Sequence, residues 1–123
     1  MSHGLILFAH GARDPRWAEP FERLRAKIQA ARPELPVVLA YLELMPPDLG
    51  AAVDQLVAAG SRQLRVVPVF LGQGGHVRRD LPDLIEMVAA RHAGVAIALA
   101  PPVGENDAVL DQIAVVCVDG IPG

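Results

Sequence analysis

Two histidines and a glutamate stand at the mouths of apolar runs in this chain. His10 closes "LILFAH", Glu43 follows "VVLAYL", and His76 closes "LGQGGH". Imidazole and carboxylate together make a ligand set for first-row divalent metals. A neutral imidazole, with an ordinary pKa near 6.5, is also a usable base at neutral pH. The glycines of "GQGG" (72–75) would let backbone N–H groups approach a ligand beside a helix start. The loop carries no Gly-Lys-Ser/Thr, so it is not a phosphate-binding P-loop. The spacing of a dinucleotide fingerprint is missing as well. Arg13, Arg16, Arg78 and Arg79 lie near the same segments. They read as a basic rim for a polycarboxylate, or as solvated partners of Asp14 and Asp80.

Whether these groups can meet depends on the elements that carry them. Residues 4–9, 37–43, 63–71 and 94–100 are apolar runs of strand length. Such runs suit strands buried on both faces. Pro68 inside the third run predicts a local break in pairing. Between the runs lie helical periods. Pro15 opens a helix carrying Phe21, Leu24 and Ile28, which Pro33 ends. Asp48 caps a second helix with Leu49, Val53, Leu56 and Val57 on one face and Gly60 as its stop. A third carries Leu84, Ile85 and Val88, with Pro82 expected in its first turn. A last helix follows "PPVGEN".

The alternation β-α-β-α-β-α-β-α predicts an α/β fold: one doubly wound, four-stranded parallel sheet with helices on both faces. Right-handed crossovers favour the order 2-1-3-4. Ligands in such sheets sit beyond the strands' carboxyl ends, where the order reverses. That edge would gather His10, Glu43 and His76 within roughly 10 Å, given strands about 4.8 Å apart. His3, near a terminus expected to fray, and His92, at a helix end where the dipole accounts for it, carry no functional expectation.

Bulk properties exclude several classes. The 123 residues suit one domain over 1–123, and 52% hydrophobic content supports a core without disulfides. The single cysteine, Cys117, reads as a small buried hydrophobe and agrees with a reducing compartment. A net charge of −3 and 4% aromatics argue against nucleic acid. No leader or spanning segment is legible, so a cytoplasmic chain without membrane contact is expected.

"LFAHGARDP", "YLEL", "VVPVFLGQGGHVRRDLP" and "GVAIALAPPVG" together resemble the small form of the CbiX/SirB class II chelatases. The resemblance runs from about residue 4 to residue 110. It implies insertion of a divalent metal into sirohydrochlorin. Cobalt, toward cobalamin, is the first expectation, with iron toward sirohaem as the alternative and nickel also within the ligand set. It implies no organic cofactor. By position, His10 would be base and metal ligand, His76 the second ligand, and Glu43 a ligand or proton acceptor. Leu71, Gly72, Gln73, Gly74 and Gly75 would line the macrocycle site, with Met45, His76, Arg13 and Arg78 as further contacts. Related chains often carry a second acid where this one has Met45 and Pro46, which leaves a non-enzymatic metal or tetrapyrrole carrier as a rival. The "AHGAR" stretch is a poor match to histidine phosphatases, since Ala9 replaces their arginine. Large chelatases have two similar halves, so this chain is expected to form a homodimer.

Overall fold

A computed structural model describes residues 2–123. Its four strands are β1 (His3–Ala9), β2 (Val37–Tyr41), β3 (Gln63–Pro68) and β4 (Ala96–Leu99). They form one all-parallel sheet in the order β2-β1-β3-β4, as the alternation predicted. The helices are α1 (Glu19–Ala31), α2 (Leu49–Ala58), α3 (Gly75–Ala89) and α4 (Asp107–Val118). Two single-turn 3-10 helices, Pro15–Ala18 and Val103–Glu105, precede α1 and α4.

Side chains along a strand alternate between faces, and β1 shows what that does here. Ile6 and Phe8 point to one face, into a core with Leu49, Val53 and Leu56 of α2 and Leu81, Ile85 and Val88 of α3. Leu7 and Ala9 point to the other, against Trp17 and the α1 residues Phe21, Leu24 and Ile28. β1 is buried on both faces because it lies in the middle of the sheet. His3 is its first, exposed residue, so the expected fraying gives way to pairing with Gln63.

Asp48 caps α2 by accepting from the Ala51 N–H at 2.8 Å. Gly60 follows with φ +100°, the left-handed stop expected of a glycine there. Pro68 does break pairing, but on one side only. Alternate N–H groups of a parallel strand point to opposite neighbours. Val69 donates to the Phe8 carbonyl at 2.7 Å, so Pro68, one residue earlier, faces β4. The β3–β4 ladder has already ended at Val66↔Leu99, and no bond is lost.

Four expectations need correction. Pro82 lies inside α3 rather than in its first turn, because the helix starts early, at Gly75. The ring sits on the exposed face while Leu81, Ile85 and Val88 hold the other. His92 is bound to Asp54 Oδ1 at 2.7 Å, across to α2, so a specific acceptor accounts for it. The second and third strands end at Tyr41 and Pro68, short of 43 and 71. Cys117 is exposed.

Cys117 is exposed because α4 fully buries none of its residues and half-buries only Val109 and Ile113. The helix packs chiefly on the 3-10 turn before it. Leu110, Val115, Val116 and Val118 stand exposed, with Ile121 just beyond. Nearby, the β3–β4 face on the α1 side is bare, with Arg65, Ala96 and Ala98 exposed. Among the described residues no helix is long and apolar enough to cross a membrane.

Candidate active site at the carboxyl edge of the sheet

His10 follows the last residue of β1 and is exposed. Its ring stacks on Phe70, with centroids 4.2 Å apart and planes 26° from parallel. The β1–β3 register explains the meeting. Phe8 pairs with Pro68, so two residues further along each chain His10 comes beside Phe70. Phe70 is itself buried and meets Phe8 edge-on at 6.1 Å. The His10 imidazole therefore rests on a fixed aromatic floor with its other face open. Sequence reading passed over Phe70. As the last aromatic of an apolar run it looks like ordinary core, and only the register separates it.

The backbone behind Phe70 is held in turn. Gly104 donates to the Phe70 carbonyl at 2.9 Å. A Cβ at Gly104 would lie 1.8 Å from the Leu71 carbonyl oxygen, so only glycine allows this approach. The 3-10 turn Val103–Glu105 thus braces the segment that supports His10.

Glu43 reaches the edge differently. Leu42 donates to the Ala9 carbonyl at 2.9 Å, continuing the ladder. The next N–H, that of Glu43, bonds to the His10 carbonyl at 3.1 Å. Two successive donors on one side break the alternation of a strand, which is why β2 ends early. The loop then folds back, and Pro47 accepts from the Tyr41 N–H at 2.9 Å. Glu43 is exposed beside Gly11, whose φ is +92° and whose Cα packs against the Glu43 carbonyl.

His76 is the second residue of α3, with its side chain 86% exposed and its Nε2 3.8 Å from Asp80 Oδ2. Among the described residues, no three His, Cys, Asp or Glu groups form a cluster able to hold a metal. The edge joins His10 to Glu43 through backbone, and His76 faces Asp80 on its own helix. An ion arriving here would be held by few protein groups.

The remaining expected residues are dispersed along the same edge. Leu71 is exposed, and Gly72, Gly74 and Gly75 have open space where a Cβ would stand. None of these glycines has a positive φ, so their contribution is bare backbone rather than unusual geometry. Gln73 and Arg78 line a cleft of about 580 Å³ with Pro68, Leu99 and Glu105. A smaller apolar pocket of about 260 Å³ lies between His76, Leu42 and Leu84. Met45 is half-buried and packs toward the Tyr41 cluster. Arg13, Arg78 and Arg79 make no ion pair among the described residues, whereas Arg16 binds Asp14 at 2.8 Å. The Arg16 side chain, and then its backbone N–H, holds the Asp14 carboxyl below the usual carboxylate range.

The CbiX family model matches residues 4–115. The sirohydrochlorin cobaltochelatase of Methanocaldococcus jannaschii is 34% identical over 89 residues, which is 72% of this chain and 62% of that one. A solved protein from Marinobacter aquaeolei, described as a CbiX protein of cobalamin biosynthesis, superposes with a TM-score of 0.83. It is 40% identical, over 94% of this chain and 93% of its own. SirB from Bacillus subtilis, solved with ferric iron, has a TM-score of 0.82 at 26% identity. That match covers 99% of this chain and 49% of SirB, so this chain spans about half of SirB's length.

Proposed function

We propose, since this chain belongs to the CbiX family, that it is a sirohydrochlorin chelatase over residues 1–123. Cobalt is the first-choice metal substrate, for cobalamin synthesis. The observation that carries the reading is His10, open to solvent on the Phe70 ring, at the edge where a parallel sheet presents its ligands.

Metallation removes two pyrrole N–H protons and delivers one divalent ion to the ring nitrogens. His10 in its neutral form first offers its one free nitrogen lone pair to the ion. When the ring nitrogens take the ion over, that same nitrogen accepts one pyrrole proton, and the other proton passes to Glu43 or to water. His76 is the second ligand, and Glu43 a further ligand or proton acceptor. A sparse imidazole and carboxylate set leaves coordination positions for the macrocycle to take over. A closed thiolate cage would retain the ion. The eight carboxylates expected on sirohydrochlorin meet Arg13 and Arg78, with Leu71 to Gly75 and Met45 lining the approach. No organic cofactor enters this scheme.

The test is anaerobic incubation with sirohydrochlorin and Co2+, Fe2+ or Ni2+ in parallel, following the absorption change. Turnover beyond one equivalent, fastest with Co2+, is expected. Rates no better than spontaneous with every metal would overturn the proposal, and tight binding without turnover would identify a carrier. Iron is the second reading, supported by 26% identity to the sirohydrochlorin ferrochelatase of Bacillus subtilis. Fastest turnover with Fe2+ would select it.

We further propose that two copies pair, supplying the two similar halves that the resemblance to large chelatases implies. The bare apolar side of α4 is the contact. Sedimentation should give twice the chain mass. Val116→Glu should give the monomer mass with unchanged circular dichroism, because Val116 is 66% exposed and the fold does not rely on it. A monomeric native protein would overturn the pairing, and a dimeric Val116→Glu variant would overturn α4 as its contact.

A further inference from the structure

We infer that Leu44 is a substrate-positioning residue, an apolar contact for the flat face of the tetrapyrrole. The inference rests on the chelatase reading above. Leu44 is the one non-glycine residue with positive φ among the described residues, at +68°. In that region the Cβ of an L-residue crowds the following carbonyl, and for a bulky side chain such as leucine the conformation is an outlier. Glycine would make the same turn without strain. The fold gains little packing in return, because Leu44 is 57% exposed.

What holds Leu44 in place is the site itself. The preceding residue, Glu43, donates its N–H to the His10 carbonyl, and its own carbonyl packs on Gly11. Leu44 is therefore the next residue in the chain after a backbone bond to His10. Leu42, 38% exposed, precedes it, and Leu71, 66% exposed, continues the same edge from β3. Leu42, Leu44 and Leu71 are exposed, and Arg13 and Arg78 on the same edge make no ion pair among the described residues, so apolar and basic side chains share this edge. A conjugated ring with apolar faces and carboxylates around its perimeter fits that pattern. Strain persisting in an exposed side chain beside a reactive group is the mark of a functional position.

The test compares Leu44→Gly, Leu44→Ala and Leu44→Met. Each is read by thermal melting, by binding of metal-free sirohydrochlorin, and by KM against kcat. Losing the side chain should weaken binding and raise KM about tenfold in Gly and Ala, with kcat little changed. Leu44→Met should stay within about twofold of wild type. Leu44→Gly should melt about 3–5 °C above Leu44→Ala, because only glycine relieves the backbone. Wild-type binding and KM in Gly and Ala would overturn the inference. So would loss of kcat alone. If the wild type binds no sirohydrochlorin, the chelatase reading fails and this inference falls with it, whereas wild-type turnover with indifferent Leu44 variants removes this inference alone.

Discussion

His10→Ala is expected to lower the cobalt insertion rate about 10²–10⁴-fold, the range for removing a general base. The effect should fall on the rate at saturating sirohydrochlorin, because the ring contacts proposed for Leu44, Leu71 and Arg78 are untouched. The fold should survive. His10 is exposed, and its contact with Phe70 is one face-on stack, worth about 1 kcal/mol. Circular dichroism and native mass should therefore match the wild type. Metal dependence gives a second reading of the same change: if His10 is also a ligand, the variant needs more Co2+ to reach half its own maximum. Full activity in His10→Ala would remove the assigned role, whatever the outcome for the chelatase itself.

Gly11→Ala should do large damage to stability for a small change in atoms. Two effects combine at this position. The backbone φ of +92° is strained for any residue with a Cβ. The added Cβ would also lie 1.9 Å from the Glu43 carbonyl oxygen, a backbone atom tied into the loop that leaves β2. Together these should cost about 2–5 kcal/mol, with Tm lower by about 8 °C or more. Gly60→Ala is the internal control. Its φ is +100°, but nothing lies within 4 Å of the new Cβ, so only the backbone cost of about 1 kcal/mol applies. Equal losses in the two variants would mean that the Glu43 segment moves aside freely, and that the joint between His10 and Glu43 is soft. A larger loss at Gly11 should be accompanied by reduced metallation, because separating Glu43 from His10 disturbs both groups.

Much of the architecture was legible before any coordinates. The alternation of strand-length apolar runs with helical periods led to a parallel sheet ordered 2-1-3-4, and the sheet has that order. Asp48 and Gly60 were read correctly because caps and stops are local chemistry. The chelatase resemblance, drawn from "LFAHGARDP" and "FLGQGGHV", agrees with the family match over residues 4–115. Errors gathered where a local rule met a distant partner. Cys117 reads as core from its apolar neighbours, yet α4 has no sheet beneath it and every neighbour is exposed or nearly so. His92 was referred to its own helix, but its acceptor is Asp54, 38 residues away in the chain.

The site divides along the same line. Residue type and spacing put His10, Glu43 and His76 at the carboxyl end of the sheet, because periodicity and crossover handedness set strand direction and order. The expected convergence of all three into one metal-holding cluster is not found among the described residues. Three things depended on pairing between strands. The β1–β3 register put Phe70 under His10. The N–H of Glu43 turned to the His10 carbonyl and ended β2 two residues early. That turn carried Leu44 into a conformation its own side chain disfavours. Periodicity records which side of an element is apolar, and it is insensitive to sliding one strand along another by two residues. Only the hydrogen bonds between strands choose among those slides, and in this chain they decide what surrounds the histidine.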